Sequence, residues 1–307
     1  MVKLAFLGSS RFACPALHAL HEQWGVDLVV TQPDRPVGRR ATLSATAVKQ
    51  MAERLGIPVA QPENINTSDS VERLQGISPD VIVVASYGQL LRPCVFGLPP
   101  MGTINIHASL LPAYRGAAPV NWAILNGESV TGITTFFIER GLDTGDILLK
   151  EELPIGPDET AGELEERLAL LGARVIVRTI SGLTQGTLSA TPQPLEGVSM
   201  APCLTREHGR IDWAAPAETI HNLVRGMSPW PGAWTELRGR RIKLHRTRRT
   251  DIDSTALAPG QLGPLESRRL LVATGDRFLE ILELQCEGKC CTSGWDFLQG
   301  ARQSVSF

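Results

Sequence analysis

The stretch Val81–Ser86 reads VIVVAS, a run in which four consecutive residues are β-branched and no polar residue alternates with them. A short, continuous apolar run of this kind is typical of a strand that is buried on both faces. Upstream, three further strand-like runs are separated by segments with helical spacing. Strands that alternate with helices predict an α/β fold, in which helices cover both faces of a mostly parallel sheet. The predicted strands are Lys3–Gly8, Val26–Thr31 and Ile57–Gln61, and the predicted helices are Ala13–Trp24, Ala47–Leu55 and Ser68–Gln75.

Downstream of this run the same pattern continues and then changes. The stretch Thr187–Pro202 contains three prolines without clear periodicity, which predicts a linker. Short β-like segments after it predict a small β-barrel, for which an oligonucleotide-binding (OB-like) barrel is one candidate. We therefore expect a catalytic domain at 1–189, a linker at 190–203 and a C-terminal barrel at 204–307. The predicted strands are Gly102–His107, Ile133–Glu139, Ile147–Leu153, Ala233–Leu237, Arg241–Arg246, Gly260–Pro264, Leu270–Ala273 and Leu279–Gln285, and the predicted helices are Pro119–Asn126, Thr160–Gly186 and Ala217–Met227.

The composition is that of a globular protein, with 43% hydrophobic and 20% charged residues and a net charge of -2. The charge is uneven, because the chain from Leu204 onward carries 15 basic against 12 acidic residues. No apolar run is long enough for a membrane span, and the N-terminus begins as a strand rather than as a signal peptide. Six cysteines without a disulfide framework favour a cytoplasmic protein. The cluster of Cys286, Cys290 and Cys291 has the wrong spacing for a tetrahedral metal site, so we expect no bound metal.

Two polar side chains share one face of the predicted strand GTINIH. Because side chains alternate along a strand, Asn105 and His107 lie on one face, and Ile104 and Ile106 lie on the other. Open α/β sheets bind their ligands at the carboxyl ends of the strands. Asn105 has an amide that can donate to a developing oxyanion, and His107 can donate to it or transfer a proton. A purely structural polar pair at the end of the strand is the alternative.

A tight turn, GLDTGD at Gly141–Asp146, joins two predicted strands. Either Asp143 or Asp146 could orient an imidazole and favour its charged form. The alternative is a turn that contains Asp and Gly for conformational reasons alone.

Two basic segments are candidates for binding phosphate. The first, TQPDRPVGRR, is predicted as an exposed loop that carries Arg35, Arg39 and Arg40. The second, Arg238–Arg249, has seven Arg or Lys among twelve residues. In a strand it would place Arg241, Lys243 and His245 on one face, which suits a nucleic-acid backbone. Solvated surface charge is the alternative for both segments.

Together these segments resemble the folate-dependent formyltransferase superfamily, and within it the enzymes that act on methionyl-tRNA. The similarity runs in order along nearly the whole chain. NIHASLLPAYRGAAP and GLDTGDIL carry the resemblance to the superfamily, and the loop TQPDRPVGR with RIDW and PWPGAW narrows it to the tRNA enzymes. The stretches are FLGSSRFA at 6–13, TQPDRPVGR at 31–39, NIHASLLPAYRGAAPVNWAI at 105–124, GLDTGDIL at 141–148, RIDW at 210–213 and PWPGAW at 229–234.

The resemblance implies a Rossmann-like formyltransferase domain and transfer of a formyl group from 10-formyltetrahydrofolate to the α-amine of methionyl initiator tRNA, for translation initiation. It implies an Asn105–His107–Asp143 triad, and it selects Asp143 rather than Asp146. The folate donor would contact Ser109, Leu110, Leu111 and Pro112, together with Tyr87, Gln89, Leu90 and Leu91. The tRNA would contact Arg35, Arg39, Arg40, Arg240, Arg241, Lys243 and Arg246.

The chain departs from the family pattern at GSSRF, at RRATLSAT and at FFIERGLDTGD, but not within the triad. We expect an enzyme that acts as a monomer without a metal. Formyl transfer to another amine, such as a purine precursor or an amino-sugar nucleotide, is one alternative. A non-catalytic RNA-binding protein with a decayed enzyme domain is another.

Overall fold

The computed structural model describes residues 2–37, 42–237, 239–264 and 268–300. Its elements form two compact units that are not contiguous in sequence. The first comprises 1–116, 131–153 and 165–200, and the second comprises 117–130, 154–164 and 201–307. The segments 117–130 and 154–164, which lie within the predicted domain at 1–189, therefore group with the second unit. The predicted division instead placed one break after residue 189. No helix in the described ranges has the length and apolarity that a membrane span requires.

In its described residues, the chain up to Pro154 forms ten strands and five helices. The strands are β1 (Leu4–Gly8), β2 (Leu28–Val30), β3 (Arg35–Val37), β4 (Thr42–Ser44), β5 (Val59–Ala60), β6 (Val81–Ala85), β7 (Thr103–His107), β8 (Arg115–Gly116), β9 (Val130–Phe137) and β10 (Ile147–Pro154). The helices are α1 (Cys14–Trp24), α2 (Ala47–Arg54), α3 (Ser68–Ile77), α4 (Pro93–Phe96) and α5 (Pro119–Leu125), with a short 3-10 turn at Arg11–Ala13.

A seven-stranded sheet in the order β10-β9-β7-β6-β1-β2-β5 organises the first unit. The pairings from β7 through β6, β1 and β2 to β5 are parallel, and β9 runs antiparallel to β7. Every residue of β1 and β6 is buried, as the continuous apolar runs predict. From β1 the chain continues through β2 and β5 on one side of the sheet and then through β6 and β7 on the other side, so the strand order reverses at β1. Because β1, β6 and β7 are parallel, their carboxyl ends lie at the same edge of the sheet. Ligands bind at such an edge in open α/β sheets.

After Pro154, the part of the chain that the structure describes adds six strands and three helices. They are β11 (Met200–Ala201), β12 (Ala233–Leu237), β13 (Arg240–Asp253), β14 (Leu270–Ala273), β15 (Arg277–Cys286), β16 (Cys291–Ser293), α6 (Ala161–Thr184), α7 (Ala217–Gly226) and α8 (Gly294–Gly300), with a 3-10 turn at Glu207–Gly209. The last five strands form an antiparallel sheet in the order β12-β13-β15-β14, with β16 also paired to β15. The core of the second unit includes Trp213, Ile220, Val224, Ile242, Leu244 and Leu284.

The mostly parallel α/β sheet and a smaller C-terminal β domain are confirmed, and the second domain is built on an antiparallel sheet, whereas its OB-like form stays a prediction. Three local predictions are wrong. The segment around Arg35 forms the hairpin β3–β4, with Arg35 opposite Ser44, rather than an open loop. The predicted strand Gly260–Pro264 is reduced to isolated bridge residues, with Leu262 opposite Val272. Strand β13 continues to Asp253, well beyond the predicted end at Arg246.

Candidate active site

Strand β7 places Asn105 and His107 on one face of the sheet edge. Ile104 and Ile106 are buried on the other face, as the alternation predicts. In register, Asn105 lies between Val84 of β6 and Phe136 of β9. Its side chain is only partly buried, and it makes no hydrogen bond to any residue that the structure describes. Asn105 therefore presents a carboxamide whose N–H groups are open to a ligand.

His107 is held between two elements and is only 5% exposed. Its Nε2 lies 2.9 Å from the carbonyl oxygen of Tyr114, and its Nδ1 lies 3.7 Å from Oδ2 of Asp143. The edge of the ring also packs against Phe136, with the ring centroids 6.3 Å apart. Because a carbonyl can only accept, Nε2 must carry the proton in that contact. The nitrogen left for chemistry is therefore Nδ1, which faces the carboxylate.

Asp143 occupies a turn with special backbone geometry. Its φ is 53°, a left-handed conformation that Asp tolerates better than most residues. The carboxylate oxygen Oδ2 accepts the backbone N–H of Gly116 at 2.8 Å. Gly145 is required in the same turn, because a Cβ there would lie 1.8 Å from the carbonyl oxygen of Phe137. The turn thus fixes the carboxylate beside His107, and these contacts belong to Asp143 rather than to Asp146.

The loop after β7 is anchored by hydrogen bonds from its neighbours. Ser109 is fully buried and donates to the carbonyl of Ala113 at 2.6 Å. The N–H of Leu111 donates to Oγ1 of Thr134 at 3.1 Å, and Nζ of Lys150 donates to the carbonyl of Leu111 at 2.6 Å. The Leu111–Pro112 peptide bond is cis. Leu110 is partly exposed, and Gly132 leaves room for it, because a Cβ on Gly132 would lie 2.5 Å from its Cδ2.

The segment after β6 contains side chains with different environments. Tyr87 is buried in the core of the first unit, and burial raises its pKa to about 12. Gln89 accepts the N–H of Ile65 at 2.9 Å and donates to backbone carbonyls of the same loop. Leu91 packs on the core, whereas Leu90 is 77% exposed. Only Leu90 therefore offers a large free apolar surface.

Sequence reasoning missed several residues that hold the site. Gln193 lies in the stretch predicted as a linker, but its Nε2 donates to the carbonyls of Asp143 and Gly145, both at 2.8 Å. Its Oε1 accepts from the Arg115 guanidinium at 2.6 Å. The N–H of Tyr114 donates to Oγ of Ser199 in the same stretch. A lone polar side chain in a proline-rich segment gave no signal of these contacts.

The predicted phosphate-binding residues differ in their surroundings. Arg35 is exposed on β3, whereas Arg39 and Arg40 lie outside the described residues. Arg240 is exposed, and the Cζ of Arg241 lies 4.1 Å from the centroid of the Trp234 ring. Nζ of Lys243 donates to the carbonyl of Pro231, but Arg246 forms an ion pair with Glu163. Among the described residues of this basic segment, Arg246 is thus paired with a carboxylate, whereas Arg240, Arg241 and Lys243 form no ion pair.

All six cysteines are free thiols, and Cys290 and Cys291 are exposed. No group of three His, Cys, Asp or Glu side chains that could hold a metal ion occurs within the described ranges.

Models of two families match the chain. "Formyl transferase" matches residues 2–180, and "Formyl transferase, C-terminal domain" matches residues 203–302. The sheet edge with its Asn, His and Asp side chains lies within the first match. Fold, site and family models together define the class of protein as a formyl transferase.

Curated relatives narrow the class. The chain is 48% identical over 305 residues to the methionyl-tRNA formyltransferase of Solibacter usitatus, which covers 98% of this chain and 96% of that one. It is 44% identical over 301 residues to that of Ruminiclostridium cellulolyticum, with 97% and 96% covered. The chain belongs to the methionyl-tRNA formyltransferase family.

Solved structures share the fold at lower identity. HypX from Aquifex aeolicus in complex with tetrahydrofolic acid has a TM-score of 0.65 at 18% identity, covering 96% of this chain and 46% of that one. WlaRD, a sugar 3N-formyl transferase with dTDP and 5-N-formyl-THF, has a TM-score of 0.69 at 18% identity, covering 94% and 99%. At these identities the comparison concerns the fold alone.

Proposed function

We propose that Asn105, His107 and Asp143 transfer a formyl group from 10-formyltetrahydrofolate to the α-amino group of methionyl initiator tRNA. The observation that carries this proposal is the arrangement of the open Asn105 amide beside a histidine whose Nε2 donates to Tyr114 and whose Nδ1 faces Asp143. Family membership supports the reaction, the folate donor and the acceptor. The site residues and their roles are our assignment.

Asn105 stabilises the charge that develops on the formyl oxygen. The neutral amine attacks the formyl carbon, the π electrons move to oxygen, and a tetrahedral intermediate forms. An amide N–H that is already in place costs no reorganisation when that charge appears. The Asn105 carboxamide is available for this role, because no described residue occupies its hydrogen-bonding groups and it projects from a strand that is paired on both sides.

His107 moves the proton. The Tyr114 carbonyl keeps a proton on Nε2, so Nδ1 accepts the proton that the attacking amine must lose. The resulting imidazolium is stabilised by the Asp143 carboxylate on the same side of the ring. When the bond between the formyl carbon and the folate nitrogen breaks, that nitrogen takes up the proton that Nδ1 of His107 holds, the carbonyl re-forms, and His107 returns to its neutral form.

The donor contacts follow the loop after β7 and the segment after β6. Ser109, Leu111 and Pro112 shape the first segment, whose backbone is fixed by Thr134 and Lys150. Leu110 and Leu90 supply partly exposed apolar surface for an aromatic ring system. Tyr87, Gln89 and Leu91 support this surface through contacts within the fold, because Tyr87 and Leu91 pack in the core and Gln89 accepts the N–H of Ile65.

The acceptor is RNA, and basic side chains from both units are its proposed contacts. Arg240, Arg241 and Lys243 are assigned to the phosphate backbone together with Arg35, Arg39, Arg40 and Arg246. We also propose that the enzyme works as a monomer in the cytoplasm, which a sedimentation measurement and cell fractionation would test.

The test offers the enzyme two kinds of amine. The chain is incubated with 10-formyltetrahydrofolate and either charged initiator tRNA or small amines such as an amino-sugar nucleotide. We expect formyl-methionine on the tRNA and no formylated small amine. Formylation of a small amine with none on the tRNA would contradict the proposed acceptor, and product with neither would contradict the activity.

A further inference from the structure

A turn in the second unit presents a tryptophan to solvent. Trp230 is 60% exposed, and it is the one tryptophan among the large hydrophobic side chains that stand exposed in the described part of the chain. Its turn is closed by a hydrogen bond from the N–H of Gly232 to the carbonyl of Met227 at 2.9 Å. The N–H of Gly162 also donates to the carbonyl of Ser228 at 3.1 Å. The indole is therefore displayed by an anchored turn, although burying it would be favourable.

Cations cluster on the strands that follow this turn. Lys243 donates from Nζ to the carbonyl of Pro231, the residue after Trp230, at 3.3 Å. In the β12–β13 ladder Lys243 lies directly opposite Trp234. The guanidinium of Arg241 lies 4.1 Å from the Trp234 ring centroid, and that of Arg210 lies 5.9 Å from it. We call Arg210, Trp230, Trp234, Arg241 and Lys243 the aromatic–cationic patch.

The cations of this patch are not neutralised. Within the described residues, neither Arg210, Arg241 nor Lys243 has a carboxylate within the 4.0 Å of an ion pair. The carboxylate opposite Arg241 in the ladder belongs to Glu236, which is exposed. In contrast, basic residues farther along the sheet each face a carboxylate: Arg246 with Glu163, Arg248 with Glu280, Arg249 with Glu218, Arg269 with Glu280 and Arg277 with Asp251.

We propose that the aromatic–cationic patch binds an unpaired nucleotide of RNA, with the base stacked on Trp230 and the flanking phosphates on Arg241 and Lys243. An anchored aromatic ring beside unpaired cations is what a single-stranded nucleotide needs, since every base has a π-face and every phosphate carries a charge. An acidic protein surface would satisfy the cations but would give the indole no stacking partner. This inference deepens the proposed function and rests on its RNA acceptor.

The test separates stacking from charge. Dissociation constants are measured for the full chain with charged initiator tRNA, a short single-stranded RNA and a fully paired RNA duplex. We expect Trp230→Ala to raise the Kd for the first two by roughly fivefold to a hundredfold, the range for a lost base–aromatic stack. The Kd for the duplex should change less than about twofold, because paired bases cannot stack on the indole. Trp230→Phe, which keeps an aromatic face, should restore most of the affinity.

Ile252→Ala is the matched control, because Ile252 is an exposed apolar side chain of the same unit that lies outside the patch. It should leave all three Kd values unchanged. Unchanged binding in Trp230→Ala, or equal losses in the Ala and Phe variants on every probe, would overturn the inference. If the wild-type chain binds single-stranded RNA in a Trp230-dependent way but formylates no tRNA, the proposed function is contradicted and the inference about the aromatic–cationic patch is still supported.

Discussion

At the scale of single residues, the charge of Asp143 should be separable from its backbone conformation. Asparagine tolerates the positive φ that Asp143 adopts, whereas alanine does not favour it. Asp143→Asn should therefore fold normally and lose turnover, because the imidazolium of His107 loses its counter-charge. Asp143→Ala should lose turnover and also lower the melting temperature.

The measurement is kcat together with thermal unfolding for both variants. Wild-type turnover in Asp143→Asn would contradict the role of the carboxylate. An equally low melting temperature in both variants would show that the negative charge of the carboxylate, and not the backbone conformation, decides stability, because an Asn side chain can still accept the N–H of Gly116.

The sequence predicted where the candidate side chains lie better than it predicted what holds them. Strand alternation placed Asn105 and His107 on one face, because the period of a strand is independent of its surroundings. The Tyr114 carbonyl that fixes the protonated nitrogen of His107 could not be predicted, since its position depends on the path of a loop. Likewise, nothing in the sequence connects Gln193 with the turn 50 residues upstream to which it donates.

At the scale of elements, the stretch after α6 should support the active-site turn. Gln193 binds two carbonyls of that turn and one guanidinium. Replacing it by leucine leaves these groups without their partner, which costs about 1–3 kcal/mol of stability for a buried group and less where water enters. Because a small displacement of Asp143 misaligns His107, we expect kcat to fall by about tenfold to a hundredfold.

The control is Gln185→Leu, which changes an exposed glutamine of the same unit. If Gln193 only stabilises the fold, Gln193→Leu will lose melting temperature but keep the kcat and the pH profile of the wild type. That result would contradict the positioning role.

The sequence predicted the helices and strands correctly where burial of apolar side chains in the core determines them. The runs of β1 and β6 are buried throughout, and α7 differs from its prediction only at its end. The β3–β4 hairpin was missed because Pro36 interrupts the strand pattern and because Arg35, Pro36, Leu43 and Ser44 are exposed. The length of β13 was missed because its second part, Arg246–Asp253, is polar and takes its strand form from pairing with β15.

At the scale of the whole molecule, a buried histidine should make stability depend on pH. His221 is 2% exposed, and burial lowers its pKa, although the Pro157 carbonyl and Asp158 favour the charged form and Arg225 and Arg249 oppose it. A lowered folded-state pKa means that the unfolded chain binds more protons between the two values. The contribution of neutral His221 to the free energy of unfolding is therefore complete above about pH 6.5, the pKa of histidine in the unfolded chain. This contribution is lost as the pH falls through the folded-state pKa.

We expect the free energy of unfolding to fall between about pH 7.5 and pH 5.5, a window that brackets the ordinary histidine pKa. His221→Gln should reduce this fall, because the amide can still bond to Thr247 and Pro157 but does not titrate in this range. Denaturant unfolding at the two pH values measures the difference. Equal pH dependence in the two proteins would contradict the assignment.

The single-turnover rate of formyl transfer to charged methionyl initiator tRNA tests the central claim most directly. Wild-type enzyme and Asn105→Ala are compared with labelled 10-formyltetrahydrofolate at saturating tRNA. We predict that label reaches the methionine nitrogen in both, with the rate in Asn105→Ala lower by about a hundredfold to a thousandfold, the loss typical of one oxyanion donor. An Asn105→Ala enzyme that transfers label at the wild-type rate would contradict the account.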